Sequence, residues 1–142
     1  MRRSIHKLTP FAAALVACCL CAHGTRAETV ITGDAFEEMS TGKVMRFSQD
    51  GAYYGAEQFY EGRRSTWQYA DGSCVDGIWY EEPGAICFDY EDASPAQCWV
   101  FAQREGGFFA RLRGSAATAP GQLELFSIDE TPLTCAGPDL GV

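Results

Sequence analysis

Histidine is nearly absent from this sequence: it occurs only as His6 and His23, both within the first 27 residues. Once those residues are removed as a leader, the remaining chain contains no imidazole. Ser-His-Asp and Cys-His nucleophile systems then cannot be built, and the usual general base at neutral pH is missing. Any acid–base chemistry would depend on carboxylates.

Basic residues are scarce as well. After residue 27 the chain has seven Lys and Arg against 19 Asp and Glu, which gives a formal charge of −12. Binding to phosphate backbones or anionic lipids requires clustered cations, so we expect no nucleic-acid partner. The acidity serves solubility or forms a docking face for a cationic partner.

No apolar stretch is long enough to predict a membrane span. The stretch from Leu8 to Ala22 is about 15 residues, which is short for a transmembrane helix. Positive residues precede it, and the small residues Thr25 and Ala27 end the polar segment that follows it. This order is typical of a secretory signal, so we predict a signal peptide over 1–27 and a periplasmic or secreted protein.

A second interpretation of the leader remains open. Leu15-Val16-Ala17-Cys18 resembles the lipobox of bacterial lipoproteins, which would anchor the protein through a lipid on Cys18. Against this, the apolar stretch continues past Cys18, and Cys19 and Cys21 would remain as extra thiols.

Four cysteines follow the leader: Cys74, Cys87, Cys98 and Cys135. No pair has the Cys-x-x-Cys spacing expected of zinc or thioredoxin-like chemistry, so no metal site is predicted. An even number of cysteines in an exported chain of this size indicates two disulfides.

The segment from Arg63 to Leu112 alternates short aromatic and β-branched stretches with turn clusters such as Asp71-Gly72-Ser73. This pattern is typical of an antiparallel meander. We predict one all-β domain over 28–142, a small meander or up-and-down barrel of about eight strands. The predicted strands are Lys43–Ser48, Ala52–Tyr60, Arg64–Ala70, Val75–Glu81, Ala85–Tyr90, Gln97–Ala102, Phe108–Arg113 and Gln122–Ile128.

One short helix is predicted between Thr32 and Gly42. Thr32 can cap its first turn, and Gly42 can end it. Phe36 and Met39 form a small apolar face, which favours a plug or lid packed on the sheet over a docking helix.

The predicted strands also suggest how the cysteines pair. Cys87 and Cys98 lie on successive strands joined by a short connection, so their Cα atoms can approach to the ~4.4–6.8 Å that a disulfide requires. Cys74 begins a strand, and Cys135 lies in a tail with little else to hold it. We predict Cys87–Cys98 and Cys74–Cys135, one of three possible pairings.

Several short motifs resemble one family. They are Gly42-Lys43 at the helix end, Asp50-Gly51 with Tyr54 and Glu57, Gly77-x-Trp79, Ile86-Cys87-x-x-Tyr90, and Cys98-Trp99. Together, over about Thr32 to Leu112, they resemble small exported bacterial proteins of the domain-of-unknown-function 995 kind. The resemblance implies a β-barrel-like fold and export, and it carries no catalytic residues.

Carboxylates are the remaining candidates for acid–base chemistry. A paired-carboxylate hydrolase needs two of them at a defined separation in a cleft. Most of those here lie in or beside predicted hairpin turns, where acids are ordinarily solvated. The candidates are Glu57, Glu81, Glu82, Asp89, Glu91 and Asp92. The group Asp89-x-Glu91-Asp92 also offers oxygen ligands for calcium, but it lacks the glycine and terminal acid of a calcium loop and is better explained as an exposed turn.

Adjacent aromatic residues indicate a possible binding surface. Neighbouring residues of a strand face opposite sides, so Trp79 and Tyr80 cannot both point inward, and some rings must lie outside or at an open mouth. Scattered exposed rings are common in small barrels, whereas a contiguous patch would indicate a ligand site. The clustered cations Arg63, Arg64, Arg111 and Arg113 either pair with acids or hold an anionic ligand.

We therefore predict a non-enzymatic binding module without cofactor or metal, acting as a monomer. A small ligand would enter the barrel mouth near Tyr54, Glu57, Trp67 and Trp79. One alternative is an acidic inhibitor or envelope protein that docks a basic partner such as lysozyme. Another is a carboxylate-based hydrolase.

Overall fold

The structure is a computed structural model that describes residues 28–137. The predicted signal peptide over 1–27, cleavage after Ala27 and the alternative lipid anchor at Cys18 all lie outside the described residues. The one helix within them has eight residues, too few to cross a membrane.

Eight antiparallel strands close into a barrel, which confirms the predicted fold class. Each strand from β2 to β9 pairs with the next strand in sequence, and β9 pairs with β2 to close the ring. A two-residue strand, β1, was not predicted and pairs with Ala102 and Gln103 near the end of β7. The elements are β1 Thr29–Val30, α1 Gly33–Ser40, β2 Val44–Gln49, β3 Ala52–Tyr60, β4 Arg64–Tyr69, β5 Cys74–Glu82, β6 Ala85–Tyr90, β7 Gln97–Arg104, β8 Gly107–Leu112 and β9 Leu123–Asp129.

Two hairpins show why the strands turn where they do. Asp50-Gly51 joins β2 to β3 with φ angles of 51° and 79°, and Glu105-Gly106 joins β7 to β8 with φ angles of 50° and 82°. Two consecutive positive φ angles define the tight turn whose twist matches antiparallel strands, and an acid or amide followed by glycine tolerates it best. The turn residues therefore set these boundaries locally.

Helix α1 closes one end of the barrel, as predicted for a plug. Thr32 caps it by accepting a hydrogen bond from the Ala35 amide. The amide of Gly33 donates to Oε1 of Glu81 over 2.7 Å, which ties the helix start to β5. Phe36 points into the barrel and is fully buried.

The centre of the core is a group of aromatic rings packed around Phe36. Its ring centroid lies 4.7 Å from that of Phe101, 5.1 Å from Trp79 and 5.4 Å from Phe59. The tilted and edge-on arrangements are those that aromatic quadrupoles favour. These contacts fill the end of the barrel that α1 covers.

Both predicted disulfides are present. Cys87 and Cys98 face each other directly on β6 and β7, with their Cα atoms 3.9 Å apart, closer than the predicted range. Cys74 and Cys135, with Cα atoms 5.6 Å apart, join the start of β5 to the segment after β9. Disulfides persist in oxidising compartments, so both are compatible with export.

The segment after β9 runs along the outside of the barrel. The Leu133 amide donates to the side chain of Gln58, and the side chain of Gln68 donates to the Thr134 carbonyl. With the Cys74–Cys135 disulfide, these bonds hold the segment against β3 and β4.

A candidate ligand cavity in the barrel

The barrel contains a cavity at the end opposite α1. Its volume is about 470 Å³, within the range of small-molecule sites, roughly 300–1,000 Å³. Its walls are mostly aromatic, and they include Phe47, Tyr54, Trp67, Tyr69, Tyr90 and Trp99. Phe59, Phe88 and Phe101 form the deep end, where the packed core begins. The barrel is thus filled in one half and open in the other.

Strand alternation explains why these side chains meet. Trp67 and Tyr69 are two residues apart on β4, and Phe88 and Tyr90 are two apart on β6, so each pair faces the same side. Glu57 lies directly across from Trp67 in the β3–β4 ladder and shares that inner face.

A β-bulge at Tyr54 changes the alternation at the cavity mouth. Phe47 pairs with Gly55 and Ser48 with Tyr53, so Tyr54 has no partner on β2. A bulge of this kind re-aims a side chain. Tyr53 and Tyr54 consequently both border the cavity, although regular alternation would place them on opposite faces.

Gly55 makes room for the indole of Trp67. A Cβ at this position would lie 2.3 Å from Cζ2 of Trp67 and 2.7 Å from the carbonyl oxygen of Gln68. Contacts that short do not occur in folded proteins, so the Trp67 ring can occupy its place only above a glycine. Gly55 thus lies next to the bulge and also permits the close approach of Trp67.

Tyr90 brings its hydroxyl to the centre of the cavity wall. Its ring stacks on Phe88, with 6.1 Å between centroids and 11° between planes. It passes over Gly77, where a Cβ would lie 2.7 Å from Cδ1 of Tyr90. The Tyr90 hydroxyl donates to Oε2 of Glu57 over 2.8 Å. Burial and the nearby Glu57 raise the pKa of Tyr90, so its hydroxyl keeps the proton it donates.

Glu57 is a buried acid in an apolar wall. Only 2% of its surface is exposed, and its Oε1 has no hydrogen-bond partner among the described residues. Burial raises the pKa of Glu57 from 4.5 to about 8, while the hydroxyls of Ser65 and Tyr90 oppose the shift. The Ser65 hydroxyl lies near enough to the Glu57 carboxyl to lower its pKa, but it makes no hydrogen bond within residues 28–137. At neutral pH the Glu57 carboxyl is therefore mostly protonated.

A hydrogen-bonded pair of polar side chains lies at the rim of the cavity. The Tyr69 hydroxyl donates to Oδ2 of Asp92 over 3.2 Å. Asp92 also accepts hydrogen bonds from the amide and hydroxyl of Ser94, which lower its pKa. This hydrogen bond joins the end of β4 to the β6–β7 loop. The Asp92 carboxylate adds negative charge near the cavity mouth.

None of the described residues that line the cavity is a cation. Three of the four clustered arginines instead form ion pairs with acids outside the cavity, as one of the two alternatives predicted. The pairs are Arg63–Glu37, Arg111–Glu28 and Arg113–Glu82. The fourth, Arg64, donates to the Glu61 carbonyl.

Three of the four predicted ligand-binding residues line the cavity: Tyr54, Glu57 and Trp67. The fourth, Trp79, lies in the packed core beside Phe36, and only 2% of it is exposed. Its ring is covered by the Arg63 guanidinium, 4.8 Å from the centroid. Phe36 of α1 packs against Trp79 at this level, so Trp79 belongs to the filled half of the barrel and not to the cavity wall.

Sequence reasoning did not select Tyr69, Tyr90 or Trp99 as site residues. For Tyr69 and Tyr90 the sequence did contain an indication, because the spacing of Trp67-x-Tyr69 and of Phe88-x-Tyr90 places each pair on one face of its strand. The hydrogen bond between Tyr90 and Glu57 had no such signal, because the two residues lie on non-adjacent strands.

In residues 28–137, one group of potential metal ligands lies close together, Glu82 with Cys87 and Cys98. The two cysteines form a disulfide. Their sulfurs are therefore not available as thiolate ligands.

The chain matches no protein-family model, no curated protein and no solved structure in comparisons with each. Its function is therefore inferred from the cavity itself.

Proposed function

We propose that this chain is an exported, non-enzymatic binding protein that holds a small molecule inside its barrel. The observation that supports it best is the half-filled barrel. The packed rings around Phe36 leave an aromatic cavity of about 470 Å³ at the other end. Such a cavity buries apolar ligand surface without requiring the protein to rearrange.

The arrangement of carboxylates supports binding over hydrolysis. Of the six acids considered as catalytic candidates, only Glu57 is among the described residues that line the cavity. Glu81 accepts from the Gly33 amide and Glu82 pairs with Arg113, both at the α1 end or on the outer surface. The second carboxylate that a paired-acid mechanism needs is not among the described lining residues.

An uncharged fluorescent dye tests the proposal. N-phenyl-1-naphthylamine emits strongly in apolar surroundings, so its titration into the protein should show saturable enhancement with one site per chain. Ala110 lines the cavity and is 1% exposed. Ala110→Leu should fill part of the space and weaken dye binding at least about tenfold, because the ligand would lose contact area.

Ala35→Leu is the matched control, because Ala35 is exposed on α1 at the closed end. It should bind the dye as the wild type does. Absence of saturable dye binding to the wild type would refute the proposal that the barrel binds a small molecule. Equal dye binding by both variants, with unchanged melting temperatures, would also refute it.

A further inference from the structure

One buried carboxyl oxygen in the cavity wall has no hydrogen-bond partner within residues 28–137. Oε2 of Glu57 accepts from Tyr90, but Oε1 of the same carboxyl has no partner there while the side chain is 2% exposed. Leaving a buried polar atom without a hydrogen bond is costly, and more so for an ionised group. Once the carboxyl ionises, Oε1 is a buried acceptor in the cavity wall with no donor in the described part of the chain.

No described group around this acceptor compensates a negative charge. The titratable groups that face Glu57 are the phenols of Tyr54 on the same strand, of Tyr69 on the neighbouring strand β4 and of Tyr90 across the barrel, with Asp92 at the rim. All are neutral or negative. A cation brought by a ligand would supply the counter-charge that allows this carboxyl to ionise.

The surrounding rings favour the same kind of ligand. The Trp67 centroid lies 5.9 Å from that of Tyr54, 6.3 Å from Tyr69 and 6.2 Å from Phe47. The electron-rich faces of indole and phenol rings attract a cation within about 6 Å. An anion would find no positive partner among the described lining residues.

From this geometry, and resting on the proposed function, we propose that the ligand is a small organic ammonium ion. Its apolar body packs against the Trp67 wall, and an N–H of a primary or secondary amine donates to Oε1 of Glu57. A neutral hydroxyl could also satisfy Oε1, but it would neither supply the counter-charge nor use the faces of the rings. A quaternary ammonium would lack the N–H.

Binding of such a cation has a proton cost that a neutral ligand does not have. The free protein holds a proton on Glu57 below about pH 8, because burial raises the pKa of this carboxyl. A bound ammonium stabilises the carboxylate, so the proton leaves as the ligand enters. Affinity for the amine should rise with pH up to about pH 8 and then level off.

The experiment compares 2-phenylethylamine with 2-phenylethanol, two molecules of similar shape of which only the first is a cation at pH 7. Each is used to displace N-phenyl-1-naphthylamine from the wild type and from Glu57→Gln. In the wild type the amine should bind at least about tenfold more tightly than the alcohol, as expected for a charge-assisted hydrogen bond. Glu57→Gln should remove that preference, with the affinity of each competitor calculated from the dye affinity measured for that same variant.

Calorimetry supplies a measurement that needs no variant. Titrating the amine at pH 6.5 in two buffers of different ionisation enthalpy should show release of about one proton per amine bound. The alcohol should release none. This test remains decisive if Glu57→Gln fails to fold.

Failure of this inference and failure of the proposed function are distinguishable. If the dye binds but amine and alcohol compete equally, or no proton is released, the cavity binds ligands and the ammonium assignment is wrong. If the dye does not bind the wild type at all, the proposed function itself is wrong.

Discussion

The hydroxyl of Tyr90 donates a 2.8 Å hydrogen bond to Oε2 of Glu57 and so joins β6 to β3 through the inside of the barrel. Two strands, β4 and β5, separate these residues along the sheet. Glu57 is buried in an aromatic wall, and its other oxygen has no hydrogen-bond partner in the described part of the chain. The burial of this acid determines the chemistry of the cavity and part of the protein's pH dependence.

Glu57 should make the fold less stable as pH rises from about 4.5 to about 8. Its pKa is raised from 4.5 to about 8 by burial, so between these values the folded protein holds a proton that the unfolded chain has lost. The free energy of unfolding then falls as pH rises, by at most about 1.4 kcal/mol per pH unit between the two pKa values. Urea denaturation at pH 5, 6.5 and 8 measures it, and Glu57→Gln should lose this slope.

The matched control for that prediction is Glu61→Gln, because Glu61 is exposed. Its stability should follow the wild type across the same pH range. The acids whose pKa values are lowered, Asp71, Asp92 and Asp129, affect stability only at lower pH. Parallel wild-type and Glu57→Gln curves from pH 5 to 8 would contradict the prediction.

Phe36→Ala should remove the plug that fills the closed end. Phe36 is fully buried and contacts Phe59, Trp79, Phe88 and Phe101. Loss of a core phenylalanine costs about 3–5 kcal/mol, because a cavity remains where the ring was. Phe126→Ala is the control, since Phe126 is 57% exposed, and it should cost no more than about 0.5 kcal/mol. Similar losses in both variants, measured by urea denaturation, would show that α1 is not part of the core.

Gly55→Ala should displace Trp67 from the cavity wall. The added Cβ would lie 2.3 Å from the indole, and relief of such overpacking costs about 1–3 kcal/mol. Dye affinity should fall, and the near-ultraviolet circular dichroism of the aromatic residues should change. Gly137→Ala is the control, because no atom of the described residues lies within 4 Å of a Cβ at Gly137. An unchanged near-ultraviolet spectrum for Gly55→Ala would mean that Trp67 lies elsewhere.

The two disulfides should contribute unequally to stability. Cys74 and Cys135 are 61 residues apart and Cys87 and Cys98 are 11 apart. In the chain-entropy account the longer loop contributes about 4 kcal/mol and the shorter about 3 kcal/mol. Double Cys→Ala variants of each pair, unfolded in urea, test the order. Peptide mapping without reductant checks the pairing, and recovery of a Cys74–Cys87 peptide would contradict it.

Much of the fold could be predicted from local sequence because the barrel is built from consecutive hairpins. Each strand pairs with its neighbour in sequence, so turn residues such as Asp50-Gly51 and alternating side chains specify the order and approximate bounds of the strands. The disulfide pairing followed from the same layout. The short strand β1 was missed, because two residues carry no periodic pattern.

The candidate site could be predicted only in part. Tyr54, Glu57 and Trp67 lie in the cavity wall as expected, since they lie close together along the β3–β4 hairpin. Trp79 lies in the packed core instead, because α1 inserts Phe36 at its level. How far the packing around α1 extends into the barrel depends on contacts between the helix and several strands. The residue pattern of a single strand does not show it.

The sequence by itself determined an acidic all-β chain with two disulfides and no histidine after residue 27, because composition, turn residues and strand periodicity are local properties. Only the tertiary structure decided that the barrel is filled at one end and open at the other, and that Glu57 meets Tyr90 in the open half. The physical reason is closure: a ring of strands brings together side chains that are far apart in sequence and removes them from water together. The burial that raises the pKa of Glu57 is a property of that enclosed volume.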